Sequence, residues 1–350
     1  MDGFEGKTTR ARYDYPFESP PEPGTTLEVA PGVLWVRMPL PFSLKWINLW
    51  ALEDGDGWTI VDTGMPTSET KSHWRSILSD DLQGRPVKRV IVTHMHPDHV
   101  GLAGWFCRKF QCPLLMTRLE YISCRMLVAD TGREAPEAGV DFYRAAGWPQ
   151  DALDTYIERF GGFGRAVTQM PDAYTRLDDG QELEIGGRTW KVVTGGGHSP
   201  HHACLWCPDL NVFISGDQVL PRISSNVSVY PTEPAADPLH EWLESCRKLK
   251  SILPPDVLVL PAHNEPFYGL HKRLDALVDG HERALRRILD RLEQPKQVLE
   301  LFTAVFARTI GPDSLGMATG ETIAHVNCLI QRGQVVCRRE NGTNLYSRAT

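Results

Sequence analysis

The run Thr93-His94-Met95-His96-Pro97-Asp98-His99 places three imidazoles and one carboxylate within six residues, 94–99. It follows Val87–Thr93 (VKRVIVT), which reads as a buried strand. Imidazole and carboxylate are the ligands of borderline divalent ions such as Zn²⁺, Mn²⁺ and Fe²⁺. His94 and His96 are two apart, so at an extended strand end they share a direction. Pro97 suits the first position of a helix. Asp98 and His99 then fall in its first turn and face another way. Six residues can therefore address two adjacent metal positions.

Three later segments repeat the arrangement. Gly195-Gly196-Gly197-His198 follows the strand Thr189–Val193, Ser215-Gly216-Asp217 follows Val212–Ile214, and Pro261-Ala262-His263 follows Val257–Leu260. An earlier strand ends at Val61-Asp62-Thr63-Gly64. An acidic or imidazole side chain just past each of several strand ends is how a sheet edge builds a site.

Around these segments the chain reads as α/β. At roughly 150 residues per domain, 350 residues make two domains or one large domain with additions. Hydrophobic residues at 41% and charged residues at 23% are ordinary for a globular chain and exclude a disordered, collagen-like or coiled-coil protein. Residues 1–25 are a Pro-rich, irregular lead-in. β-Rich runs follow at Gly32–Met38, Trp46–Glu53 and Gly57–Val61, then a helix at Thr67–Ser79, a helix at His99–Phe110 and a strand at Pro113–Met116. From about 117 to 172, helical spacing at Arg118–Asp130, Ala135–Ala146 and Gln150–Phe160 marks a helical insertion. Its aromatics, Phe142, Tyr143, Trp148, Tyr156, Phe160 and Phe163, form the insertion's own core or line an apolar pocket. Strands return at Glu182–Ile185, His201–Trp206 and Val212–Ser215, with a helix at Leu239–Ile252. After His271 the chain is helical, and it closes on Gln334–Arg339, Asn341-Gly342 and Asn344–Ser347, a hairpin signature. Helices followed by a small hairpin suggest a winged-helix-like module at 275–350.

No apolar run is long enough to span a bilayer, and the polar start (Met1 to Arg10) lacks the apolar stretch of a secretory signal, which predicts a cytoplasmic protein. Eight scattered cysteines then read as reduced thiols. Cys204 and Cys207 sit three apart on a strand, point to opposite faces and cannot share a metal.

The HxHxDH run at 94–99, followed in order by His198, Asp217 and His263 and preceded by Asp62, strongly resembles the metallo-β-lactamase superfamily over residues 26–274. The resemblance implies a four-layer αββα sandwich and two divalent metal ions, Zn first, with Fe or Mn as alternatives. It implies that His94, His96 and His198 bind one ion and Asp98, His99 and His263 the other. Asp217 would bridge both, and Asp62 would hydrogen-bond a ligand. Two ions, two carboxylates and a bridging hydroxide leave a core of about +1, suited to hydrolysis by metal-bound hydroxide, with Asp98 passing a proton to the leaving group.

Departures from the family's branches narrow the substrate. Flavin-linked di-iron oxidoreductases carry an acidic residue where His96 stands. Antibiotic-degrading members are usually exported and lack a bridging Asp. Lactonases usually place a Tyr shortly after that Asp, where this chain has Gln218-Val219-Leu220. The RNA-processing nucleases carry a further inserted domain. The ligand set is similar to glyoxalase II-like thioesterases, whose C-terminus differs. The reading is an ester or thioester hydrolase with a small-molecule acyl substrate; the alternatives are a nucleic-acid-acting protein, either phosphodiesterase or winged-helix regulator, and a lactonase. Arg222, five residues past Asp217, either holds a substrate anion or pairs with an acidic neighbour. A net charge of −7 argues against nucleic acid as partner. So does the tail, where ten Lys and Arg face nine Asp and Glu. Its candidate recognition helix, Gly320–Gln331, has no Lys or Arg and carries Glu321 near its start. Packing on the catalytic part or in a homodimer is the role left to the tail.

Overall fold

Strand residues with period-two alternation sort this chain into layers. The computed structural model describes residues 13–41 and 43–349. One sheet holds, in spatial order, β1 (Thr26–Ala30), β2 (Val33–Pro39), β3 (Trp46–Asp54), β4 (Gly57–Val61), β5 (Val87–Ile91), β6 (Leu114–Thr117) and β7 (Thr175–Leu177). The other holds β8 (Glu182–Ile185), β9 (Arg188–Gly195), β10 (His202–Cys207), β11 (Val212–Gly216) and β12 (Leu258–Pro261), ordered β12-β11-β10-β9-β8. β13 (Val335–Glu340) and β14 (Thr343–Arg348) form a separate hairpin. Helices α1 (Ser68–Ser79), α2 (Pro97–Val100), α3 (Ala103–Phe110), α4 (Arg118–Ala129), α5 (Glu137–Ala145) and α6 (Gln150–Arg159) precede β7. Helices α7 (Pro238–Ile252), α8 (Leu270–Arg291), α9 (Val298–Val305) and α10 (Leu315–Gln331) follow β11.

Alternate strand residues face opposite sides. Trp35, Trp50, Val61 and Ile91 therefore meet Trp190, Leu205, Ile214 and Leu260 between the sheets. Their neighbours Val36, Leu49, Ile60 and Val90 face away, onto Trp74 and Ile77 of α1 and Phe106 of α3. Cys204 and Phe213 face outward from the second sheet onto Trp242 and Leu243 of α7. Four layers, αββα, result. Cys204 and Cys207 lie in different layers, and all eight cysteines are free thiols.

Three local departures from the sequence reading have physical causes. The strand at 87 makes its last inter-strand bond within its sheet at Val92, whose N–H donates to Leu115 O at 3.0 Å, and the Thr93 N–H turns to the Asp62 carboxylate at 2.8 Å. The helix expected at His99–Phe110 breaks into α2 and α3, because the Leu102 N–H is drawn off to Gly64 O and Thr63 Oγ1, both at 3.1 Å. The lead-in is more than a surface strap where it is described. Tyr13 is buried against Phe267, ring centroids 5.6 Å apart, and Asp14 bridges Tyr268; residues 1–12 lie outside the described residues. β1 and β7 were not anticipated.

The insertion's aromatics stack on one another. Tyr143 meets Trp148 at 4.2 Å and Tyr156 at 4.8 Å, and Trp148 Nε1 donates to Thr319 Oγ1 of α10 at 2.9 Å. The candidate recognition helix proves to be the interior of the tail: α10 is buried from Ala318 through Leu329 and cannot enter a nucleic-acid groove. No helix among the described residues is long and apolar enough to cross a membrane.

Leu285, Ile288, Val298, Leu301, Val326 and Leu329 share one continuous core with Val193, Phe213, Trp242 and Leu243. Each such side chain contributes about 1.5–3 kcal/mol on burial, against a net stability of about 5–15 kcal/mol. A chain ending at Leu274 is therefore expected to lose its cooperative thermal transition. Circular dichroism melting with size-exclusion chromatography tests this, and a truncated monomer with the full-length melting temperature would contradict it.

Candidate metal centre

The segments that follow β4, β5, β9, β11 and β12 meet at one edge of the sandwich. Asp62, just past β4, has φ 59°, a left-handed conformation that turns its carboxylate back toward β5. One oxygen accepts the Thr93 N–H at 2.8 Å; the other accepts Thr93 Oγ1–H at 2.8 Å and His99 Nδ1–H at 2.7 Å. Because the Thr93 hydroxyl proton goes to Asp62, its oxygen accepts from His94 Nδ1 at 3.1 Å. His198 Nδ1 donates to Asn226 O at 2.8 Å, and His263 Nδ1 donates to Trp46 O at 2.9 Å. Each of these four rings thereby has Nδ1 hydrogen-bonded to the scaffold and Nε2 turned toward the site.

Those Nε2 atoms, together with His96 Nδ1, converge on two points. His94 Nε2, His96 Nδ1 and His198 Nε2 lie 2.9, 3.0 and 3.2 Å from one another. Asp98, His99 and His263 make a second group, with Asp98 Oδ2 at 3.5 Å from His263 Nε2 and 3.9 Å from His99 Nε2. Asp217 stands between them. Its Oδ2 is 3.3 Å from His198 Nε2, while its Oδ1 is 3.5 Å from both His99 Nε2 and His263 Nε2.

The electrostatics fit cations. Burial, then the adjacent imidazoles, holds His94 well below the ordinary histidine range and takes His96 down to about 3, so both rings are neutral donors. Burial opposes the ionisation of Asp98, but His99 and His263 overcome it and bring the carboxyl to about 2. Against the same opposition, His263 and His99 hold Asp217 well below the usual carboxylate range. His99 Nε2 and Asp217 Oδ1 are buried without a hydrogen-bond partner. A divalent ion in each group would satisfy these atoms, and the N and O donor set suits Zn²⁺, Mn²⁺ or Fe²⁺.

Residues 47–263, which carry this centre, match the family described as the metallo-beta-lactamase superfamily. The chain belongs to the metallo-β-lactamase superfamily. Residues 285–349 match the C-terminal domain described as metallo-beta-lactamase-like. A crystal structure of a beta-lactamase domain protein from Burkholderia ambifaria is 40% identical, with a TM-score of 0.89 over 98% of this chain and 100% of that one. A metallo-beta-lactamase family protein from Thermus thermophilus is 26% identical, with a TM-score of 0.77 over 92% of this chain and 100% of that one. Among curated relatives, a Bacillus subtilis protein named "Probable metallo-hydrolase YqjP" is 25% identical over 85% of this chain and 92% of its own length. An Aspergillus fumigatus atrochrysone carboxyl ACP thioesterase is 26% identical over 73% of this chain and 46% of its own length.

The structure pairs Arg222 with an acidic neighbour. Its guanidinium meets the Glu265 carboxylate at 2.7 Å and lies over the Tyr15 ring at 5.2 Å. Glu120 and Asn48, which organise this superfamily centre, escaped sequence reasoning. Glu120 of α4 is buried and accepts from Met95 N at 2.9 Å, Ser199 Oγ at 2.7 Å and His201 N at 2.7 Å, tying the 94–96 loop to the 198–201 loop. His202 is buried against the His94 ring and accepts the Asp217 N–H at 3.1 Å. Gly216, at φ 51°, leaves room for it: a Cβ there would sit 2.5 Å from His202 Nε2. Asn48 donates to Pro261 O at 2.9 Å and Asn264 O at 2.6 Å, pinning the turn that carries His263.

Glu120→Ala leaves two backbone N–H groups and one hydroxyl without their acceptor, each at a cost of about 1–3 kcal/mol. Urea unfolding is expected to show a loss of at least about 3 kcal/mol, accompanied by reduced metal content. An unchanged unfolding midpoint would show that water replaces the carboxylate without penalty.

Proposed function

We propose that this superfamily member is a dinuclear-metal-dependent hydrolase of ester or thioester bonds in a small-molecule acyl substrate. The observation that carries the reading is the Asp217 carboxylate, whose two oxygens face two separate groups of ligand atoms. In this reading His94, His96 and His198 hold one ion, Asp98, His99 and His263 hold the other, and Asp217 joins them. Divalent ions there, zinc first, supply Lewis acidity toward an acyl carbonyl and make water nucleophilic at neutral pH. Asp62 keeps the proton of His99 on Nδ1 and its Nε2 free. Asp98 takes the proton that water gives up and passes it to the departing alkoxide or thiolate. It is the more exposed of the two carboxylates, at 17% against 10% for Asp217, and so the one within reach of a leaving group. Residues 26–274 carry this apparatus, with the insertion at about 117–172, and 275–350 form a winged-helix-like module packed on it.

The acyl preference draws support from the relatives named as atrochrysone carboxyl ACP thioesterases, in Aspergillus fumigatus and, at 23% identity, in Cryptosporiopsis. The buried α10 removes the surface that a winged-helix regulator would present to DNA.

Asp217→Ala is expected to lower metal content and to cut kcat/KM on thioester and aryl ester substrates by at least about 100-fold, because misplacing the reacting groups by even about 1 Å costs that much. Dialysis against a chelator should abolish hydrolysis, and Zn²⁺, Mn²⁺ or Fe²⁺ should restore it. Full activity in the variant, or in chelated protein, would refute the dinuclear reading. Arg222→Ala, with its partner Glu265, should lower rates on anionic and neutral substrates alike; a loss confined to anionic substrates would return Arg222 to substrate binding.

A further inference from the structure

Residues 218–237, between Asp217 and α7, contain no strand or α-helix, yet they run beside the metal centre. A segment of this kind needs hydrogen-bond partners from elsewhere for its buried backbone. The C-terminal helices provide them. Arg273 of α8 donates to Leu220 O at 2.6 Å and Ile223 O at 2.8 Å. The Val229 N–H donates to Gly320 O of α10 at 3.1 Å, and Asn327 Nδ2 donates to Pro234 O at 3.0 Å and Ala236 O at 2.8 Å. Gly320 is part of the fit, since a Cβ there would lie 2.8 Å from Val229 O and from Ser228 Cβ. Helix and loop thus touch backbone to backbone.

Asn226 sits in the middle of this segment and faces both ways. Its backbone carbonyl accepts the Nδ1–H of His198 at 2.8 Å. Its side-chain Nδ2 donates to Glu321 Oε2 of α10 at 2.9 Å, and its Oδ1 accepts from Ser228 Oγ at 2.5 Å. Glu321 is buried, and burial pushes its carboxyl up to about 7. An apolar side chain would serve a helix interior at lower desolvation cost. A buried carboxyl whose amide partner also carries the carbonyl that orients an imidazole is suited to a different task.

We infer that Glu321 is a positioning residue of the metal centre: through Asn226 it fixes the carbonyl that holds His198 Nδ1–H, and so aims His198 Nε2 at His94 and His96. The inference rests on the proposed role of His198 as a metal ligand. It makes the C-terminal module a working part of the centre as well as a shared core. Partners that orient metal-binding histidines typically cost about 10–100-fold in metal affinity when removed.

The test uses full-length protein, stripped of metal and titrated with Zn²⁺ against a chromophoric chelator, with the absorption spectrum of the Co²⁺-loaded form as a second readout. Glu321→Ala is expected to weaken one of two sites by about 10–100-fold, to leave the other within about twofold, and to alter the Co²⁺ spectrum. Glu321→Gln, which keeps an acceptor for Asn226, should restore both readouts. Should Glu321→Ala fail to fold, Asn226→Ala takes its place, since it keeps the carbonyl that His198 uses but loses the tie to α10; the same selective weakening is expected. Wild-type affinity and spectrum in the folded variant would overturn the inference, as would equal weakening of both sites without rescue by Gln. A wild-type protein that binds no metal would remove the proposed function along with it, whereas two wild-type sites unaffected by Glu321→Ala would remove the inference alone.

Discussion

Three ring nitrogens, of His94, His96 and His198, stand 2.9–3.2 Å apart at one edge of the sandwich. Lone pairs aimed at one another repel, and nothing in their own chemistry keeps them together without a cation. The arrangement around them is a set of restraints on that one constraint. Thr93 takes the Nδ1 proton of His94, the carbonyl of Asn226 that of His198, the carbonyl of Trp46 that of His263, and Asp62 that of His99. With each proton pinned on the far side of its ring, the near side is left to donate. The two sheets matter because they bring five chain segments to one edge and hold them rigidly enough for these bonds to form together.

The same logic explains where buried polar side chains lie. Burying a polar group is unfavourable unless it is hydrogen-bonded, and this chain keeps Glu120, Asn48, His202 and Glu321 inside. Each one touches a loop that carries a ligand or the segment that orients one. Glu120 fastens the 94–96 loop to the 198–201 loop, and Asn48 holds the turn before His263. The catalytic layers, the helical insertion through α4 and the C-terminal helices therefore each contribute to one centre.

Much of that centre was legible in the sequence, for a physical reason. Ligands at strand ends must follow buried β-branched runs and precede turns, so Val87–Thr93, Thr189–Val193 and Val257–Leu260 announced where His94, His198 and His263 would stand. That residues 94–99 address two positions followed from strand and helix geometry across Pro97, while the grouping of His198, Asp217 and His263 with them came from the family resemblance. Of the residues behind the ligands, Asp62 was legible through the resemblance, but Glu120 and Glu321 were not. Glu120 opens a helix, where an acidic residue is expected on helix-dipole grounds alone. Glu321 looked like a surface charge on a recognition helix, and only the packing of α10 against loop 218–237 reveals that it is buried. The short strands β1 and β7 were missed because a few residues at a sheet edge carry little periodicity.

The account stands or falls on two cations flanking one carboxylate. Crystals of zinc-loaded protein, with diffraction recorded on either side of the zinc absorption edge, measure this directly. Two anomalous peaks are predicted, one among His94, His96 and His198, the other among Asp98, His99 and His263, with the Asp217 carboxylate between them. A single peak, or peaks away from Asp217, would contradict it.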